Sequence, residues 1–375
     1  VAAVYALGGA IGNRRLGLAA GFVAALNPYQ IIYSQTARDY QLACLFGALS
    51  MVLLLRAYRR PGWLPAYVVT ALLALYSHYY GLAIVSFEQL ILLVWLLRDR
   101  ARVASMRRSR GPHSPSATTA GGGRVRALWR QWLIADAILM LAYLPWLAYA
   151  SRVIAGYDLG HGSLALVISS LRTTFEWTTI GQAHEPGALL VPGMLVGVLA
   201  MIGLIALART SGQALVVAAG YQLAPIVFGV ASFVHTGQFG PRLIFIGAPG
   251  YLLVLGAGVA ALAPIPWLTI APVGLIAYLG ATHVRNTVFT DRFLAEGYRP
   301  LADYLARHIQ PRDVVVLGSL SQSPQYWYYA QLRHGLAQQV AFMPRDASGG
   351  STNPTPVDLA QTQRQLQQLG NGASG

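Results

Sequence analysis

From Leu16 to His283 the chain alternates long apolar runs with short connectors, and most of its charged residues sit in those connectors. A bilayer crossing needs about 20 mostly apolar residues as a helix. Ten stretches qualify or nearly do, near 1–12, 16–34, 40–56, 63–78, 81–97, 131–150, 188–208, 214–234, 242–262 and 265–283. The pair 63–78 and 81–97 is joined only by the short turn Ser77-His78-Tyr79-Tyr80-Gly81. The chain is 55% hydrophobic and only 11% charged, where a soluble domain carries roughly 25% charged residues. An all-α polytopic membrane protein is therefore expected, and a soluble enzyme is excluded.

The formal charge is +14, and every one of the 27 basic residues is Arg. Such an excess can mark a nucleic-acid binder. Its distribution points elsewhere, because the Arg residues fall on alternate sides of the runs. One set of connectors holds Arg14, Arg15, Arg56, Arg59, Arg60, nine Arg from Arg98 to Arg130, and Arg209; the other holds only Arg38, Arg152, Arg172 and Arg242. The Arg-rich set is expected on the cytoplasmic side. The sparse set then faces outward, with the segment 151–187 as an outward loop. Residues 98–130, with their Ser/Gly/Pro-rich middle, read as a flexible cytoplasmic linker. Cys44 is the only cysteine, which excludes an internal disulfide and a cysteine metal cluster.

The densest polar stretch inside this apolar frame is Asn27–Leu42, NPYQIIYSQTARDYQL. It gathers Tyr33, Ser34, Gln35, Thr36, Arg38, Asp39, Tyr40 and Gln41 between two apolar runs. Ionisable groups at membrane depth are costly and tend to mark a site; the alternative is an interfacial Arg38–Asp39 pair inside an aromatic belt.

Beyond residue 284 the pattern changes. The segment GYRPLADYLARHIQ has helical spacing, with Pro300 placed for a first turn; PRDVVVLG reads as a strand, QYWYYAQLRHG as a helix ended by Gly335, and QQVAFM as a second strand. A small outward α/β domain over 285–345 is expected, followed by a disordered tail, 346–375, with a short helix at 357–369.

Several of these segments together resemble the GT-C superfamily of membrane glycosyltransferases, in the family 39 branch that contains protein O-mannosyltransferases and the lipid A aminoarabinose transferase. The residues that carry the resemblance are Asn27-Pro28, Tyr33-Ser34-Gln35, Arg38, Tyr40, Arg56, Leu75–Tyr80, Pro241-Arg242 with Pro249, and the closing EGYRPLADYLARHIQPRDVVVL. The likeness covers most of residues 1–345. It implies transfer of a sugar from a polyprenyl-phosphate donor to a hydroxyl on a lipid, glycan or protein, by single displacement with inversion. It also implies an inner-membrane protein of a bacterium with its site facing outward. In that family the catalytic Asp or Glu lies in the first outward loop. The chain opens at Val1 in mid-pattern, so one further span and that loop are expected upstream.

Such a transfer needs a carboxylate to deprotonate the acceptor and cations to hold the phosphate leaving group. Arg242 and Arg38 are the candidate phosphate ligands, since a guanidinium binds oxygens bidentately and keeps its charge; the bland reading is snorkelling at helix ends. Tyr40, His78 and Tyr79 are candidate contacts to donor or acceptor. Glu176, beside Trp177 on which a sugar could stack, and Asp39 are the carboxylates present on the same face, with Asp39 alternatively an ion partner of Arg38 or Arg172. Glu88 and Asp136 fall inside predicted spans, where ionisable groups ordinarily suggest function; Glu88, nearer the cytoplasmic side than the outer site requires, reads as a helix-packing hydrogen-bond former. No HExxH or DxD motif occurs, and no cofactor or protein-bound metal is expected. The rival expectations are a flippase for lipid-linked saccharides, which would favour an internal repeat, and a non-catalytic membrane scaffold.

Overall fold

The computed structural model describes residues 1–35, 39–109, 115–155, 164–185, 187–236, 240–290, 298–310, 313–317, 326–332, 334–336 and 339–342. Arg38, the segment 343–375 and its expected helix lie outside the described residues. Contacts divide the chain into two units, Val1–Asp291 and Arg292–Gly375.

The first unit is helical throughout its described elements: α1 (Ala2–Ile11), α2 (Arg14–Leu26), α3 (Pro28–Gln35), α4 (Tyr40–Arg59), α5 (Leu64–Ser77), α6 (Gly81–Ser109), α7 (Pro115–Ala155), α8 (Leu164–Ile180), α9 (Leu190–Thr210), α10 (Gly212–Thr236), α11 (Pro241–Ile244), α12 (Ala248–Leu262) and α13 (Pro266–Val288). Seven helical segments among the described residues are long and apolar enough to cross a membrane: Tyr40–Arg59, Gly81–Ser105, Val125–Arg152, Leu190–Thr210, Gly212–Ser232, Pro241–Leu262 and Pro266–Val288. The chain is an all-α polytopic membrane protein. Ten crossings are not all met as single helices. The run 16–34 is broken by 62° between α2 and α3, and the apolar helices Ala2–Ile11 and Pro61–Ser77 are shorter than a bilayer span.

Local chemistry explains the breaks. Asn13 caps α2 by accepting the Leu16 N–H at 3.0 Å. Pro28 then forces Asn27 out of helical geometry, to φ −67° and ψ 124°, and starts α3 where a missing N–H costs nothing. Asn27 caps the new helix, its Oδ1 accepting from Tyr29 N–H at 3.1 Å and Gln30 N–H at 3.2 Å. At the other end of α4, the Arg56 guanidinium lies 5.3 Å over the Trp63 ring.

The segment Pro241–Leu262 is the hub of this unit. It is 89% buried, against 17% for Val125–Arg152 and 22% for Leu190–Thr210. α12 packs on α2, α9 and α10, while α7 exposes Ile138, Met140 and Leu141. The perimeter helices therefore present apolar side chains outward, as lipid contact requires.

Two connectors differ from expectation. The segment 151–187 contains the 17-residue helix α8, not only loop. Val167, Ser170, Thr174 and Thr178 form its buried face; Thr174 donates to the Ser170 carbonyl at 2.7 Å and Thr178 to the Phe175 carbonyl at 3.0 Å. Hydroxyls satisfied on their own helix can be buried, so a polar-looking sequence packs. Within 98–130, α6 continues to Ser109 and α7 begins at Pro115; Arg is a good helix former, so the basic stretch extends the helix where a linker was expected.

The second unit contains α14 (Tyr298–His308), strand β1 (Val314–Leu317), a π-type turn at Trp327–Leu332 and strand β2 (Gln339–Phe342). The strands pair in parallel, Val314 opposite Gln339. Ala302, Tyr326 and Ala330 form its core, and His334 Nε2 meets Asp303 Oδ1 at 2.8 Å.

Candidate functional site

The start of α4, the turn after α5 and the short helix α11 bring their polar residues to one place. Tyr40 opens α4, and its ring lies 5.0 Å from His78. The turn Ser77–Gly81 is tight enough that a side chain at Gly81 would strike the Ala74 carbonyl. That turn stacks His78 on Tyr79 at 4.5 Å, 24° from parallel. Tyr33 of α3 meets Tyr40 edge-on at 5.6 Å and stacks on Phe245 at 4.3 Å. Tyr29 contributes another edge at 5.0 Å from Tyr33, and its hydroxyl donates to the Pro241 carbonyl. Trp177 of α8 packs on the same cluster. The result is an aromatic floor built from five separate stretches of sequence.

Charge lies at the edge of this floor. Arg242 sits in the first turn of α11, exposed, with no ion pair among the described residues. Asp39 precedes α4, also exposed; it makes no ion pair with Arg172, and the alternative partner Arg38 lies outside the described residues. Both act on Tyr79, which burial, Tyr40 and Asp39 push up to about 12 while Arg242 pulls it down. Burial pushes the His78 imidazole down, and Asp39 opposes that shift. The neutral His78 ring accepts the Tyr80 N–H at Nδ1, 3.1 Å away, so its own proton is on Nε2. Asp39, Tyr40, His78, Tyr79 and Arg242 thus form one cluster, and Arg38 lies outside the described residues.

Glu176 belongs to a neighbouring arrangement. It is one residue from Trp177 on α8 but points to His184, Oε1 to Nε2 3.3 Å. His184 Nδ1 is 3.0 Å from the Glu185 carbonyl. α13 holds this segment from the side: Asn286 donates to the Ala183 carbonyl at 2.8 Å, and Gly181, at φ +81°, packs so close to the His283 ring that a Cβ there would strike it. No other residue combines that backbone with the space available. His283 is 1% exposed, and neither ring nitrogen has a hydrogen-bond partner among the described residues. Asn27 Nδ2 donates to the Thr178 carbonyl at 2.8 Å, which locks the α2–α3 break to α8.

Sequence reasoning overlooked Tyr29, Phe245, His184 and His283 as neighbours of the site. Tyr29 and Phe245 read as ordinary apolar positions, and His184 lies in a connector with no ligand spacing. Among the described residues, no three His, Cys, Asp or Glu side chains are grouped to hold a metal ion. The arrangement can do two things chemically. An exposed guanidinium beside an aromatic floor can bind an anionic head group while apolar chains run along the helices, and the neutral His78 can donate one hydrogen bond. No family model, curated protein or solved structure matches the chain.

Proposed function

We propose that the chain is a membrane glycosyltransferase that takes a sugar from a polyprenyl-phosphate-linked donor and passes it to a hydroxyl acceptor at the membrane surface. The single observation that carries this reading is the meeting of Arg242, Asp39, Tyr40, His78 and Tyr79 around an aromatic floor at the ends of apolar helices. In this reading Arg242 binds the phosphate, the aromatic rings support the sugar, and His78 Nε2–H contacts a sugar or phosphate oxygen. The donor and acceptor class come from the resemblance of Asn27–Leu42, Leu75–Tyr80 and Pro241-Arg242 to family 39 of the GT-C superfamily. The same resemblance supports a bacterial inner-membrane location, an outward-facing site and a small outward α/β domain near the C-terminus.

The test is sugar transfer from a radiolabelled polyprenyl-phosphate sugar by the protein in lipid nanodiscs. Arg242→Ala should lower transfer by roughly tenfold to hundredfold, the size of one lost charge-assisted hydrogen bond. Arg242→Lys should retain part of it, because Lys keeps the charge and loses the planar fork. Equal activity of wild type and Arg242→Ala would remove the reading.

The 62° break between α2 and α3 favours a second reading, a flippase for lipid-linked saccharides, since interrupted helices line the binding sites of transporters. Movement of a fluorescent lipid-linked sugar across proteoliposomes, without any change in its covalent structure, would select that reading.

A further inference from the structure

We infer that Glu88 holds a bound proton inside the membrane-spanning unit, as a neutral carboxylic acid that donates its hydrogen to Ser50. Glu88 lies on α6 and is fully buried. Its partner Ser50, on α4, is fully buried as well. The Ser50 hydroxyl oxygen is 2.8 Å from the Gly47 carbonyl oxygen and 2.6 Å from Glu88 Oε1.

Counting hydrogens decides the state. A serine hydroxyl has one hydrogen and a carbonyl oxygen has none. Were Glu88 a carboxylate, one hydrogen would have to serve two oxygens, and one close oxygen–oxygen approach would be lone pair against lone pair. A proton on Glu88 Oε1 removes the conflict. Glu88 donates to Ser50, Ser50 donates to Gly47, and each approach holds one hydrogen. Both distances are ordinary for O–H···O bonds.

The surroundings agree. No Arg or His pairs with Glu88 among the described residues. The groups that face it from other helices are uncharged: Ser50 of α4, Tyr67 of α5 and Tyr221 of α10. Asp136 of α7 lies within electrostatic reach of Tyr67, and Cys44 of α4 within reach of Tyr221. Gln89 Nε2 donates to the Tyr67 hydroxyl at 3.0 Å, a neutral contact. Glu88 Oε2 and the Tyr221 hydroxyl have no hydrogen-bond partner among the described residues. A carboxylate in such a place, with no cation and only neutral hydroxyls such as that of Tyr67 within reach among the described residues, would be far costlier to bury than the acid. The proton is thus part of the contact between α4 and α6.

Infrared spectroscopy of the whole protein in nanodiscs tests this. The spectrum of wild type minus Glu88→Gln at neutral pH should show one carboxylic-acid C=O band that moves on exchange into D2O. Asp136→Asn should leave that band in place. A difference spectrum containing only carboxylate stretches would overturn the inference. If Glu88→Gln does not fold, Ser50→Ala is the second variant. Removing the acceptor should move the same acid band to higher frequency, and an unmoved band would overturn the inference equally.

Discussion

Burial at a membrane-adjacent turn changes what His78 does. Its pKa is pushed below the ordinary 6.5, so the unfolded chain takes up a proton at a higher pH than the folded chain does. Above 6.5 both states are neutral at this residue. As the pH falls through 6.5 the unfolded state binds more protons, and the folded state loses stability. The melting temperature in detergent should therefore drop as the pH is lowered from neutrality, and His78→Gln should flatten that slope. Gly181 is the second residue where a single atom decides the outcome. Its positive φ and its contact with the His283 ring leave no room for a Cβ, so Gly181→Ala should destabilise the protein by at least about 1 kcal/mol. Thermal unfolding by tryptophan fluorescence measures this. At this scale much of the cluster was legible. Tyr40, His78, Tyr79, Asp39 and Arg242 are chemically conspicuous against an apolar background. Phe245 and Tyr29 were not, because an aromatic in a span announces packing with some neighbour and never says which. His283 was hidden for a different reason: its role depends on a glycine about a hundred residues away in sequence.

Among the elements, the break between α2 and α3 positions the Tyr29 and Tyr33 side of the aromatic floor. Asn27 serves both sides of it, capping α3 through Oδ1 and tying α8 through Nδ2. Asn27→Ala should cost about 1 kcal/mol for the cap and a further 1–3 kcal/mol, roughly, for the unpaired Thr178 carbonyl. If the proposed donor binds there, the same variant should weaken its binding, because α3 carries Tyr29 and Tyr33 to the aromatic floor. Thermal unfolding and donor titration together check both effects. Most apolar helices could be placed from the sequence, since runs of apolar residues leave no alternative in lipid. The break itself was signalled by Asn27-Pro28, yet a continuous run of apolar residues concealed its angle. α8 was missed because its buried face is made of Ser and Thr. A hydropathy reading scores those hydroxyls as polar, although Thr174 and Thr178 bond to their own helix.

For the molecule as a whole, the burial gradient from the Pro241–Leu262 segment outward bears on biogenesis. The ribosome releases this segment only after α1 to α10 have been made, yet it ends up innermost, against α2, α9 and α10. The earlier helices must therefore wait in the bilayer with a vacant seam between them. With Cys44 replaced and single cysteines introduced into α2 or α9, a nascent chain stalled after Gly240 should expose them to cysteine-directed labelling, and release of the chain through Leu262 should protect them. A membrane protease that removes incomplete chains would have its longest opportunity just before the hub arrives.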